Sequence, residues 1–397
     1  MRKLTSYLAI IAIAFVTVSC QGFFGEKTDL SIIDAPEFQA RNVAYVPIQP
    51  IISGFVSPTD VVIGFDELIY VVDSGAQEII AYDQAGREQG RTTVPGVTKM
   101  VQDRQMNILA IGTFDTTING SDYTLSTIYR LDLNGDAGYG IANAKVINKV
   151  VNPFYFKTSF STLDAEVRFT SIDATGDNDY YVTRQGPRTN ANAVGGADDG
   201  VILFDYTDEY VSNIFISTNS GFFRDYFKNP TCLVTYSKPR QGPSVSESRD
   251  FFVAMAEPSI PIKVQSIKFL ESDFGSSYEV ELLNFRDTAE ADDFLYRPSR
   301  FTNPVDATLT GDGTNYLFVV DQAKDSIFQF TTKGLEGINP PAGSSEKKNI
   351  IASFGGTGVS ATQFNQPSAV AYFNTILYVA DRGNGRLLRF KLTTDFD

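Results

Sequence analysis

Residues 367–392 read PSAVAYFNTILYVADRGNGRLLRFKL, and their pattern decides the fold. A short apolar run from Pro367 is followed by a turn at Asn374. A second, wholly apolar run ends in Asp381, a Gly-Asn-Gly turn follows, and a third run closes the segment. Runs of this length, rich in Val, Ile, Leu, Tyr and Phe and punctuated by Gly, Asn and Asp, are strands joined by tight turns. The same pattern recurs at 58–83, PTDVVIGFDELIYVVDSGAQEIIAYD, and at 304–330, PVDATLTGDGTNYLFVVDQAKDSIFQF. A recurrent unit that cannot bury its own faces must stack against its copies, so the repeat sets the architecture.

Weaker copies fill the intervals. They have strand cores at 98–102, 108–111 and 127–131; at 170–174, 180–183 and 201–204; and at 232–235, 251–254 and 264–269. Six copies result. Fourth strands are expected at 91–94, 146–151, 211–217, 278–284 and 350–354. The sixth copy ends with three strands, and residues 43–51, VAYVPIQPI, offer the missing one. Six four-stranded antiparallel units, the last completed by an N-terminal strand, predict an all-β six-bladed β-propeller. Seven blades are the alternative. The three strong copies, with Pro-x-x-Val/Ala, Tyr/Phe-Val-Val/Ala-Asp and Arg/Ile-apolar-x-Phe, resemble NHL repeats. Phe354-Gly-Gly-Thr-Gly, leading to Gln363-Phe-Asn-Gln-Pro367, is similar to the linker between such blades.

Composition narrows the chemistry. The 397 residues contain no histidine and two cysteines. Histidine-based nucleophilic catalysis, histidine metal ligation and a zinc ribbon therefore fall away. A net charge of −14 disfavours nucleic acid, which binds basic surfaces. Residues 1–20, MRKLTSYLAIIAIAFVTVSC, combine a basic start with an apolar run too short to span a bilayer. Thr17-Val18-Ser19-Cys20 resembles a bacterial lipoprotein signal. That resemblance implies a signal peptide at 1–19, a lipidated Cys20 with a tether through residue 42, and a propeller at 43–397. The place implied is extracytoplasmic, in the cell envelope. Gln21 after the cysteine favours the outer membrane. Cys232 reads as a small buried hydrophobe.

Aligning the inner-strand starts places Asp60, Lys99, Asp173, Cys232, Asp306 and Ala369 at equivalent positions. NHL-type repeats carry a small residue there, so Asp60, Lys99, Asp173 and Asp306 stand out as a ligand-binding ring at the channel mouth. Either they hold a ligand, a hard cation such as calcium or a cationic or polyhydroxylated molecule, or they bond local backbone, or Lys99 neutralises the neighbouring acids. Asp73, Asp321 and Asp381 read as turn acceptors, and Arg386 as a partner for a neighbouring blade. Asp132-Leu-Asn134-Gly-Asp136 lacks the later residues of a calcium loop and reads as a turn. Long loops are expected on one face at 113–126, 184–200, 152–168, 218–229 and 286–303, and on the opposite face at 236–249 and 332–349.

Two functions follow. The favoured one is a membrane-anchored, non-enzymatic propeller whose loop-rich face engages a protein or glycan partner, with an accessory role in an envelope uptake or secretion complex included. The alternative is a calcium-dependent hydrolase or lactonase. The related six-bladed enzymes place Glu, Asn and Asp around the metal, and only the Asp residues are evident here. The zinc-and-histidine chemistry of NHL-like amidating lyases is barred by the absence of histidine.

Overall fold

The computed structural model describes residues 43–187, 198–238, 248–273, 275–283, 287–341 and 343–396. The signal segment, Cys20 and the tether lie outside these residues. The propeller lies within residues 40–340 and 346–397.

Six blade sheets, antiparallel but for one pairing in blade four, follow one another along the chain, and Asn134–Gly135 with Gly138–Tyr139 forms a small two-stranded ladder besides. Blade one runs outward from its innermost strand, Pro58–Ile63, through Ile69–Asp73 and Glu78–Tyr82 to Glu88–Thr93. Blades two to six begin with Lys99–Gln102, Arg168–Ala174, Pro230–Thr235, Pro304–Leu309 and Pro367–Phe373. The ring closes as the sequence predicts. Tyr45–Ser53 pairs antiparallel with Arg386–Leu392, register Tyr45↔Leu392 to Ser53↔Arg386, and supplies the outer strand of blade six. Six blades, not seven, complete the circle.

The second strands explain why the repeats are legible. Ile69–Asp73 is buried at every residue. Strand side chains alternate between faces, so a strand sandwiched between two neighbours is apolar throughout. Ile69 and Val71 pack with blade six, and Tyr70 and Val72 with blade two. Among the described residues the core is accordingly divided, with six clusters at the junctions between consecutive blades and a small seventh of Ala291, Phe294 and Leu335.

Several expectations are corrected. Residues 113–126 are no loop, because the second and third strands of blade two continue as Ile108–Ile118 and Ser121–Asp132 and pair out to Ile118↔Ser121. The expected strand 211–217 divides. Tyr210–Asn213 completes blade three, whereas Ile216–Thr218 joins blade four in parallel at Tyr278 and carries Gly221–Phe223 beyond it. Blade four therefore has six strands rather than four. Of 350–354 only Phe354–Gly355 pairs as a fourth strand in blade five. Residues 188–197 of the expected loop 184–200 lie outside the described residues.

Candidate functional site at the channel mouth

The innermost strand of each blade turns one edge toward the central channel. Edge N–H groups that face no further strand need acceptors. Blade one meets this need for blade two: Asp60 Oδ2 accepts the Met100 N–H at 2.8 Å. Blade five does the same for blade six, where Asp306 Oδ2 accepts the Val370 N–H at 2.8 Å. A second tier links most of the ring. The hydroxyls of Thr59, Thr170, Thr231 and Ser368 donate to the carbonyls of Thr98, Pro230, Pro304 and Pro58 on the next blade.

Lys99 stands between the two carboxylates. Its Nζ lies 3.1 Å from Asp60 Oδ1 and 2.7 Å from Asp306 Oδ1, and all three side chains are nearly buried. Burial alone would lower the lysine pKa, but Asp306 and Asp60 more than offset it and raise it well above the ordinary value. Two carboxylates sharing one ammonium leave a net negative charge. Burial pushes the Asp306 carboxyl up to about 6, against the pull of Lys99 and with the push of Asp60. Cys232 is buried in the core between blades four and five, as read from sequence. Its Sγ also lies 3.8 Å from Asp306 Oδ1, and burial followed by that charge pushes the thiol up.

Asp173 is not equivalent to Asp60 and Asp306. The register shift that opens the inner strand falls between Pro58 and Asp60 in blade one and between Pro304 and Asp306 in blade five. In blade three it falls between Phe169 and Ser171. Ser171 is therefore the counterpart, and its Oγ accepts the Leu233 N–H at 3.1 Å as the carboxylates do elsewhere. Asp173 lies two residues deeper on the same face. It accepts the Thr235 N–H at 2.8 Å and pairs with Lys238 at 2.6 Å. Sequence reading missed Lys238, which stands in the stretch expected as a loop on the opposite face and carries no periodic signal. Ala369 is the small residue of the series and is fully buried.

The cavity along the axis, lined by Asp60, Lys99, Asp173, Lys238 and Asp306 among others, is about 60 Å³. Above it, on the face where the second strands turn into the third, lies a depression of about 420 Å³. Hydroxyls and amides line it from Thr59, Thr98, Thr113, Thr170, Gln322 and Ser368, with Lys99 at its floor and Arg168 and Arg382 at its sides. The hairpin at 113–126 forms one wall and leans on the connection 152–168 through Tyr123 and Phe160, whose ring centroids are 4.7 Å apart.

The second-strand aspartates act as turn acceptors, as expected, and reach further. Asp73 accepts the Val56 and Ser57 N–H groups, Asp321 those of Thr302 and Asn303, and Asp381 that of Asn365. Each fastens the linker that enters its own blade. Arg386 does not reach a neighbouring blade's side chains. It pairs with Asp381 at 2.8 Å and donates to the carbonyls of Val359, Ser360 and Gln363 in the preceding linker. Asp132 accepts the Asn134 N–H at 2.8 Å in a turn, and Asp136 is exposed beside Lys145.

The carboxylates do not fit calcium as arranged, because the Lys99 ammonium occupies the place between Asp60 and Asp306. Among the described residues no group of three or more His, Cys, Asp or Glu side chains is placed to hold a metal.

No family model matches the chain, and no curated protein matches it. Solved structures similar to it include a PQQ-bound aldose sugar dehydrogenase from Streptomyces coelicolor (TM-score 0.48, 9% identity, covering 88% of this chain and 98% of that one). An auxiliary nutrient binding protein from Bacteroides thetaiotaomicron gives 0.48 at 10% identity, over 86% of this chain and 70% of that one. Virginiamycin B lyase from Staphylococcus aureus gives 0.42 at 9% identity, over 88% and 98%. The propeller assignment rests on the chain's own six sheets.

Proposed function

We propose that this chain is a non-enzymatic, NHL-like binding propeller, anchored by lipidated Cys20 outside the cytoplasm and engaging a protein or glycan partner through its loop-rich face. The observation that carries the reading is the state of the channel mouth. Its charged groups are engaged with one another and with strand N–H groups, so none is left as a metal ligand or general base, while the depression above them is open. Long hairpins and connections on a rigid ring are where binding residues concentrate. The lipoprotein-like sequence at 17–20 supports envelope attachment, with the outer membrane favoured by Gln21.

The test has two arms. Cys20→Ala should release the chain from the membrane fraction, and retention there would sink the anchor. A photo-crosslinking residue at Ser126, on the loop-rich face, should capture a partner that the same residue at Gln105, on the opposite face, does not. Capture at Gln105 alone would reverse the assignment of the binding face. The calcium-enzyme alternative requires Lys99 to give way to a metal. Stoichiometric calcium in the purified chain, lost in Asp60→Ala and Asp306→Ala, would favour it.

A further inference from the structure

The chain carries a net charge of −14, yet no Asp or Glu lines the depression above the channel. Its charged lining is cationic: Lys99, Arg168 and Arg382. Lys99 is neutralised from below by Asp60 and Asp306. The two arginines are not. Arg168 begins the inner strand of blade three, is exposed, and its side chain has no hydrogen-bond or ion-pair partner among the described residues. Arg382 follows the second strand of blade six, is exposed, and among the described residues donates only its Nε, to Ser57 Oγ at 3.0 Å. Blades three and six are opposite members of a six-membered ring, so two guanidinium groups with unused donors look into one concavity from opposite sides.

We propose that this depression binds an acidic saccharide, with Arg168 and Arg382 receiving its carboxylates and the ring of hydroxyls receiving its hydroxyl groups. The inference rests on the binding reading above and names the ligand class for it. Guanidinium forks match carboxylates in a two-point hydrogen-bonded geometry. The hydroxyls of Thr59 and Ser368 already donate to backbone carbonyls, which leaves their oxygens as acceptors for sugar O–H groups. Thr98, Thr113 and Gln322 add further polar groups. The volume falls in the range of roughly 300–1,000 Å³ usual for ligand sites. Ile111, Phe169 and Val305 supply the apolar part of the lining, against which the C–H face of a sugar ring can rest. A concave cationic patch on an acidic molecule also focuses attraction where the global charge would repel an anion.

The experiment is calorimetric titration of the full-length chain in neutral detergent with three probes: a uronic-acid trisaccharide, the neutral trisaccharide of the same linkage, and a tri-glutamate peptide. The expected result is binding of the uronic-acid probe and none of the neutral one. Affinity should fall with added salt and weaken at least ten-fold in Arg168→Ala and in Arg382→Ala. Both side chains are exposed, so both variants should keep the parent melting temperature. Equal binding of the neutral probe, unchanged affinity in both variants, or failure of all three probes would overturn the proposal. Tighter binding of the peptide would overturn the saccharide class and leave the face as a binding face. Partner capture at Ser126 that survives both substitutions would likewise leave the broader reading standing without this one.

Discussion

Lys99 has the most demanding position of any single residue. Removing one member of a buried charge cluster leaves the others desolvated and unpaired, which costs about 3–5 kcal/mol. Lys99→Met should therefore destabilise by that amount in urea unfolding, and adding Asp60→Asn and Asp306→Asn should restore most of it. A loss under 1 kcal/mol for the single variant would mean that the cluster is hydrated and weak. The raised Asp306 pKa gives a second prediction. Its folded value, about 6, lies above the ordinary 3.8, so between these values the fold binds more protons than the unfolded chain, and stability falls as pH rises through that window. Asp306→Asn still accepts the Val370 N–H and should remove that part of the slope between pH 4 and 6. Superimposable stability curves for variant and parent would refute this. The triad itself was half legible. Sequence alignment brought Asp60, Lys99 and Asp306 together as a candidate ligand ring, with neutralisation by Lys99 as one alternative; in blades one and five the opening Pro fixes the register. Blade three opens with Phe169 instead, so the alignment slipped by two residues and took Asp173 for Ser171. Lys238 and the two arginines carry no pattern and emerge only when the ring is closed.

At the scale of elements, strands buried on both faces were readable and half-exposed ones were not. Ile69–Asp73, Tyr316–Asp321 and Ile376–Asp381 are apolar runs that each end at the Asp the repeat pattern marks. The outer strand Phe354–Gly355 has only two residues and no periodicity to find. The blade-two hairpin was misread although its turn is signalled. Asn119 and Gly120 both have positive φ, 53° and 82°, and Asn-Gly is the pair that favours such two-residue turns. Its polar, alternating arms simply bury too little to look like core strands. The closing strand yields a prediction here. Tyr45–Ser53 covers the outer edge of Arg386–Leu392 and adds Tyr45 and Ile52 to the clusters on both sides of blade six. A chain beginning at residue 54 exposes that edge and opens the ring. It should aggregate and lose cooperative unfolding, as an uncovered strand edge templates further pairing. A soluble monomer with the parent urea midpoint would show that the strand is dispensable.

For the whole molecule, the lack of one central core is the governing fact. Stability is spread over six inter-blade clusters, and tyrosines sit in all of them. Burial raises the phenol pKa throughout. Tyr82, Tyr210, Tyr226 and Tyr378 are pushed up to about 12, and Tyr70, Tyr155 and Tyr181 go beyond that range. A phenol ionises near pH 10 in the unfolded chain. From there upward the fold retains protons that the unfolded chain releases, so stability is complete below pH 10 and falls as pH rises above it. Lys99 acts in the same direction, because its raised folded value is lost to an ordinary one on unfolding. The ring should therefore open cooperatively under alkali. Phenolate absorbance of the buried tyrosines should rise together with loss of the far-ultraviolet β signal. A smooth phenol titration centred near pH 10, with the β signal intact, would mean that the blade junctions admit water and hydroxide. The six clusters would then be looser than their near-zero side-chain exposure implies.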